Sequence, residues 1–493
     1  MVNISNGKGR IIIRNSNRDH DETLTLTISG LTSEGAGISR TDRGVVFVHG
    51  ALPGEKVAAR IVARKKDFAI ADTVSVEEAS HGRAVPKCKY YGRCGGCQLQ
   101  HADYAAQLKL KAGIVRDAMT RLGGFPPELF DGLECEPSPE YWGYRNKAAF
   151  PVQDINGRIA TGFYRAGTHR LEFIRTCPVN AKRLNDMYSR ILEGLEKNRC
   201  PFDGYNETNH TGKLRHIIAR TGINTGESLL SFVLNGKLSA KSVKALASLG
   251  NLVRPDTLTL NHNSKPGNVI LGAYTENLTG TGLISERLGK YRLTFDTASF
   301  FQVNTGQAEK LFAYASSMAR GAKNVLELYS GVGSLTCWLA EEAGSVTSVE
   351  EYKGAVKMAV RNLEANNFGN VRALCGKSED VIADLSEKYD AVVLDPPRDG
   401  CERSVIEALN NFGVRKVVYV SCNPATLARD CKILAGHGYR LESVRAFDMF
   451  PQTAHVETVC LLSNRKPDSY VHLNLKMEDY YRIKDAHKEQ EKK

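Results

Sequence analysis

Between residues 22 and 79 apolar and polar side chains alternate in short runs, "TLTLTISGL", "GVVFVHGAL", "KVAARIVARKK" and "FAIADTVSV", each bounded by glycine, proline or charge. Such alternation places one set of side chains on each face of a strand, and closely spaced runs of this kind predict a small antiparallel β-barrel. The rhythm then changes. Leu108, Leu110, Ile114 and Met119 lie on one broad stripe, which predicts a helix over 103–122. A mixed, loop-rich stretch runs to about residue 295, with strand-like pieces "KAAFPV", "LLSFVL" and "YRLTF". From about residue 306 strand and helix patterns alternate: "NVLELYSGVG", "SLTCWLAEEAG", "SVTSVEE", a helix over 353–366, "DAVVLDPPR" and "KVVYVSCNP". The last two runs, "YRLESVRAF" and "TVCLLS", have no helix between them and predict an antiparallel hairpin. This is the pattern of an open, mostly parallel α/β sheet. Five segments follow: a polar lead-in (1–21), a barrel (22–79), a central unit (80–295), an α/β unit (296–465) and a charged tail (466–493). The 103–122 helix is a candidate to pack on the α/β unit.

Composition narrows the class. No apolar run approaches the ~18–20 residues that span a bilayer. The N-terminal stretch has a three-residue apolar patch and does not read as a signal peptide, so a cytoplasmic protein is expected. Basic residues outnumber acidic ones 66 to 55, a net charge of +11 that suits a nucleic-acid partner. In the barrel, Arg60, Arg64, Lys65 and Lys66 lie beside Phe68, a composition for a phosphate backbone and a stacked base; a solvated edge strand guarded by Lys and Arg explains it equally. Arg145 and Lys147 among the aromatics of "YWGYRNKAAF" carry the same two readings. Twelve cysteines are too sparse for a disulfide scaffold. Three of them, Cys88, Cys94 and Cys97, have ligand-like spacing, and with a further Cys or with the nearby His101 they suit zinc or an iron–sulfur cluster equally. Cys135, Cys200, Cys337, Cys375, Cys401, Cys431 and Cys460 read as packing, and His101 and His455 as structural.

Doubly wound sheets bind ligands beyond the carboxyl ends of their strands. Gly331 and Gly333 follow the first strand, and Glu350 ends the second, where an acid accepts ribose hydroxyls. Both the full dinucleotide fingerprint and the phosphate-loop motif are absent, so S-adenosylmethionine is favoured over NAD or ATP. Asp395 ends the next strand in "LDPPRDG", Cys422 ends the one after, and Glu457 opens the last. A thiol, a carboxylate and a methyl donor suit methylation at C5 of a pyrimidine. That carbon is a poor nucleophile until a thiolate adds at C6, and a base must then remove the C5 proton.

With these motifs the chain resembles the RNA uracil-C5 methyltransferase family, in particular its iron–sulfur branch that modifies 23S ribosomal RNA. The resemblance runs from about residue 22 to about 465 and rests on "CKYYGRCGGCQLQH", "RTCPVN", "SFFQVN", "LDPPR", "SCNP" and "HVETV". It implies a class I Rossmann-like methyltransferase domain, an N-terminal TRAM barrel that binds RNA, and a mixed α+β central domain. It further implies that Cys422 is the nucleophile and Glu457 the base, and that Gln302 lies between cofactor and flipped base with Phe300 near the target nucleotide. Tyr329, Gly331, Gly333, Glu350 and Asp395 join Gln302 in binding S-adenosylmethionine. The same resemblance implies that Cys88, Cys94, Cys97 and Cys177 hold a 4Fe–4S cluster. Ser330 and Ser334 depart from the Cys and Asn that some members have there. The expected partner is 23S rRNA, with transfer RNA as the runner-up and a nonenzymatic RNA-assembly factor as the reading from another class. No membrane or obligate protein partner is expected, and a monomer is.

Overall fold

The computed structural model describes residues 22–155, 157–198 and 203–464. The expectations for the lead-in, the tail and Cys200 lie outside them. The first unit has six strands: Thr23–Thr27, Gly30–Leu31, Gly37–Thr41, Gly44–His49, Lys56–Arg64 and Phe68–Glu78. The run "TLTLTISGL" is cut in two because Ile28 N–H turns to Glu55 O (2.9 Å) and Ser29 N–H to Ile38 O (2.8 Å). Alternate side chains, among them Leu26, Val46, Val48, Val57 and Ile61, fill the interior. Lys56–Arg64 is bonded to a neighbour on each side. It is an interior strand, so edge protection does not explain its exposed Arg60 and Arg64.

The central unit is more ordered than its sequence suggests. Six strands pair in the order Tyr274–Thr279, Thr257–His262, Ser228–Leu234, Leu214–Thr221, Lys147–Ile155 and Arg158–Thr161. The strand "LRHIIART" carries charge yet is buried throughout. Arg215 donates to the carbonyls of Asn263 and Lys265, each at 2.8 Å, and Arg220 to that of Ser299 at 2.5 Å. Buried guanidinium groups matched to backbone carbonyls hide the apolar pattern.

The α/β unit is built on an eight-stranded sheet. Its order is Val371–Cys375, Ser345–Glu350, Asn324–Leu328, Ala391–Leu394, Lys416–Ser421, Glu457–Ser463, Arg440–Phe447 and Cys135–Glu136. The first five strands are parallel, and Glu457–Ser463 is antiparallel to both its neighbours. The helix Tyr104–Arg121 packs Ile114, Val115 and Met119 into the same core as Leu326, Val392 and Val417. Its Lys111, fully buried, pairs with the buried Asp448 and donates to Phe450 O at 3.0 Å. The α/β layer therefore draws on chain from both sides of the central sheet. Cys135, Cys337, Cys401, Cys431 and Cys460 are buried, but Cys375 is exposed, so packing does not account for it. Among the described residues no helix is long and apolar enough to cross a membrane.

Candidate active site

The first strand, Asn324–Leu328, ends in a loop of left-handed residues: Tyr329 (φ 65°), Gly331 (φ 56°) and Gly333 (φ 81°). At Gly333 a Cβ would lie 3.2 Å from Ala359 Cβ and 3.3 Å from its Cα, so glycine answers both the backbone angle and the close approach. Glu350, at the tip of the second strand, holds this loop. Its Oε2 accepts Gly331 N–H at 3.0 Å and its Oε1 accepts Tyr352 N–H at 2.7 Å.

Gln302, Tyr329, Gly331 and Asp395 line one cavity, together with Phe300, Ser334 and Glu327. Their segment, Ser299–Asn304, is fastened by the central unit. Asn146 Nδ2 donates to Gln302 O at 2.9 Å, and Asn146 N–H donates to Val303 O at 2.8 Å. Phe301 is buried and stacks on Phe295, centroids 4.4 Å apart, which turns Phe300 outward at 68% exposure. Gln302 Oε1 and Glu327 Oε2 are buried without hydrogen-bond partners among the described residues. Such orphaned acceptors at a cavity wall fit the ammonium or hydroxyl donors of a bound cofactor.

The last strand runs antiparallel, and its register pairs Ser421 with Thr458. One step beyond this pair, forward on the first strand and back on the second, come Cys422 and Glu457, close enough for the carboxyl to act on the thiol. Burial, then Asp395, pushes the Glu457 carboxyl up to about 8, with Arg398 opposing. Burial raises Asp395 to about 7. Glu327 is likewise raised to about 8, first by burial and then by Asp395 and Glu350. Burial, Glu457 and Asp395 push the Cys422 thiol up to about 11, and Arg398 pulls it down. Asn423 caps the helix Pro424–Gly436 through Ala425 N–H (3.1 Å) and donates to Arg398 O at 3.0 Å. Buried Asp430 braces the same turn, accepting Tyr419 Oη at 2.6 Å and Cys401 N–H at 2.9 Å. A second cavity of about 80 Å³ contains Cys422, Arg398 and His455, with Ser33 and Glu34 of the barrel on its wall.

The third cavity, about 580 Å³, lies in the central unit and is lined by Cys88, Cys94, Cys97 and Cys177. Gly96 N–H hydrogen-bonds Cys94, Gln100 bonds Cys97, and the Val179 and Asn180 amides bond Cys177. Among the described residues no group of three or more Cys, His, Asp or Glu side chains is placed to hold a metal ion.

Residues 103–465 match the family model described as tRNA (Uracil-5-)-methyltransferase. The chain belongs to this uracil-5-methyltransferase family. A TRAM domain model matches residues 18–74. Similar proteins include an uncharacterized RNA methyltransferase of Gloeobacter violaceus, 39% identical over 90% of this chain and 96% of the relative. Another, from Thermosynechococcus vestitus, is 36% identical over 90% of this chain and 98% of the relative. The solved Pyrococcus abyssi tRNA (uracil-54, C5)-methyltransferase, in complex with S-adenosyl-L-homocysteine, is 28% identical with a TM-score of 0.72, covering 89% of this chain and 99% of that one. This uracil-5-methyltransferase is thus an RNA methyltransferase that uses S-adenosylmethionine, with a methyltransferase fold behind an N-terminal TRAM domain.

Three residues at its cavities escaped the sequence reading. Glu327 had a usable signal, a lone ionisable residue inside an apolar strand. Arg398 lies in the same "LDPPR" motif as Asp395, where its charge is the available signal. Glu34 had no signal, because only the tertiary fold brings its loop to Cys422.

Proposed function

We propose that this uracil-5-methyltransferase makes 5-methyluridine in 23S ribosomal RNA, with Cys422 as nucleophile and Glu457 as base. The observation that supports the mechanism is the register of Lys416–Ser421 with the reversed strand Glu457–Ser463, which brings Glu457 level with the strand end that Cys422 follows; Asp395, on the wall of the Gln302 cavity, acts on both. The target base is swung out of its RNA and stacks on the exposed Phe300 ring. Cys422 gives its proton to solvent, with the Arg398 charge favouring the thiolate, and the thiolate adds to C6. The C5–C6 electrons move onto O4, which makes C5 nucleophilic. Gln302, Tyr329, Gly331, Gly333, Glu350 and Asp395 would hold S-adenosylmethionine, which would supply the methyl group to C5 and leave as S-adenosylhomocysteine. Glu457, as the carboxylate, then takes the C5 proton. The C5–C6 double bond re-forms as the S–C6 bond breaks, and the thiolate returns.

Cys88, Cys94, Cys97 and Cys177 would hold a 4Fe–4S cluster. Four thiols spread around one roomy cavity, each of three bonded by N–H donors, suit a polynuclear cluster better than one zinc ion. The methylation needs no electron, so the cluster would hold the central unit in shape or position RNA.

The combination of TRAM barrel and cysteine segment supports 23S rRNA as substrate. A second reading, transfer RNA, is favoured by the Pyrococcus abyssi enzyme, which this chain matches over nearly its whole length. Incubating the protein with 23S rRNA and tRNA transcripts and labelled cofactor, then mapping 5-methyluridine, decides between them. Label in 23S rRNA alone is expected, and label in tRNA alone would replace the first reading by the second.

A further inference from the structure

The tip of one barrel turn reaches the active site. Thr32 N–H donates to Ala36 O at 2.8 Å, Gly35 N–H to Thr32 O at 3.0 Å and Ala36 N–H to Thr32 Oγ1 at 3.0 Å. Gly35 has φ +83°, and a Cβ there would lie 2.8 Å from Gln98 Cβ and 3.2 Å from Ala454 Cβ. The turn is therefore rigid and pressed against both the cysteine segment and the loop that leads into Glu457. It holds the exposed Ser33 and Glu34 on the wall of the Cys422 cavity, with Arg398 and His455.

A carboxylate at this mouth is electrostatically odd in a protein of net charge +11 whose substrate is a polyanion. The barrel's other glutamates, Glu22, Glu55, Glu77 and Glu78, are each paired with Arg or Lys. Glu34 makes no hydrogen bond or ion pair among the described residues, and its field reaches His455. At this spot it repels a phosphate and attracts an N–H donor. Swinging a uridine out of its RNA leaves the edges of neighbouring bases open to such an acceptor.

Resting on the uridine-methylation reading above, we propose that Glu34 is a specificity-determining residue. Its carboxylate accepts hydrogen bonds from the amino group of the nucleobase beside the target uridine. It selects adenine, cytosine or guanine there over uracil, whose open edge is mainly carbonyl. The barrel then reads sequence at the catalytic pocket as well as anchoring RNA.

The test measures kcat/KM for methyl transfer to transcripts that differ only in the nucleotides flanking the mapped uridine. Wild type should favour an amine-bearing flank roughly tenfold over uracil, as one good polar base contact does. E34A should lose that preference, and E34Q, which keeps one acceptor oxygen, should retain part of it. A wild type indifferent to both flanks overturns the inference. So does E34A with the preference intact, or with all transcripts accelerated alike, which would mark a purely electrostatic effect. A wild type that methylates uridine in no RNA overturns the functional reading itself.

Discussion

Thiols gather in two regions of this protein, and their neighbours differ. Cys422 sits among carboxyls: burial, then Glu457 and Asp395, oppose its ionisation, and Arg398 and a backbone N–H favour it. Cys94, Cys97 and Cys177 are met by N–H groups of Gly96, Gln100, Val179 and Asn180. Burial raises Cys94 to about 11, Cys97 to about 12 and Cys177 as well, but these donors pull the other way and would stabilise a thiolate bound to a metal, which suits a permanent ligand. Acids around sulfur keep it protonated until substrate arrives, which suits a nucleophile that must add and then leave. The surroundings, rather than the residue type, separate the two proposed uses of cysteine.

Replacing Cys422 breaks the comparison most severely. C422A should lose methyl transfer by on the order of 10⁴-fold or more and form no denaturant-resistant RNA adduct, while its iron content stays at the wild-type level. Methyl transfer retained in this variant would sink the covalent mechanism.

E457Q should slow turnover by roughly 10²- to 10⁴-fold and accumulate the protein–RNA adduct, because addition proceeds and elimination is blocked. Gel analysis of cofactor-supplied reactions shows this directly. Normal turnover would assign the base elsewhere.

The other thiol region should respond in the opposite sense. Anaerobically purified wild-type protein is expected to be brown, with broad absorbance near ~400 nm from thiolate-bound iron. C97A should lose this colour and melt at lower temperature. Colourless wild-type protein with stoichiometric zinc would refute the cluster.

The smallest effects are those of pH. In the proposed roles Glu457 and Cys422 act deprotonated, and both are raised, to about 8 and about 11, so kcat/KM should climb from pH 6 to pH 9. A profile flat across that range contradicts the assigned roles. Stability runs the other way. A carboxyl raised in the folded state stabilises below its unfolded value near 4.5, and that contribution is lost as pH rises toward the folded value near 8. E327Q, which removes this dependence, should therefore melt several degrees above wild type at pH 8.5 and close to it at pH 5. A difference independent of pH would mean that Glu327 is not the titrating group.

Much of the sheet was legible because buried parallel strands read as unbroken apolar runs, as in "KVVYV". The central sheet was not, since Arg215 and Arg220 break the pattern of a strand whose carbonyl partners lie far along the chain. The cavity-lining thiols Cys88, Cys94 and Cys97 showed through local spacing alone, whereas Cys177 entered through the family resemblance.

What the sequence determined by itself is local: the period-two barrel runs, the glycine loop after the first strand, and a thiol at the tip of "KVVYVS". Each depends on residues close together in the chain, whose conformational preferences act wherever the segment lies. Tertiary structure decided which groups share a cavity. Glu457 opens its strand, yet it reaches the edge where the parallel strands end because that strand alone among its neighbours is reversed. Glu34 arrives from nearly four hundred residues away because its turn packs on Gln98 and Ala454. Electrostatic coupling and burial depend on distance through space, and the fold sets that distance.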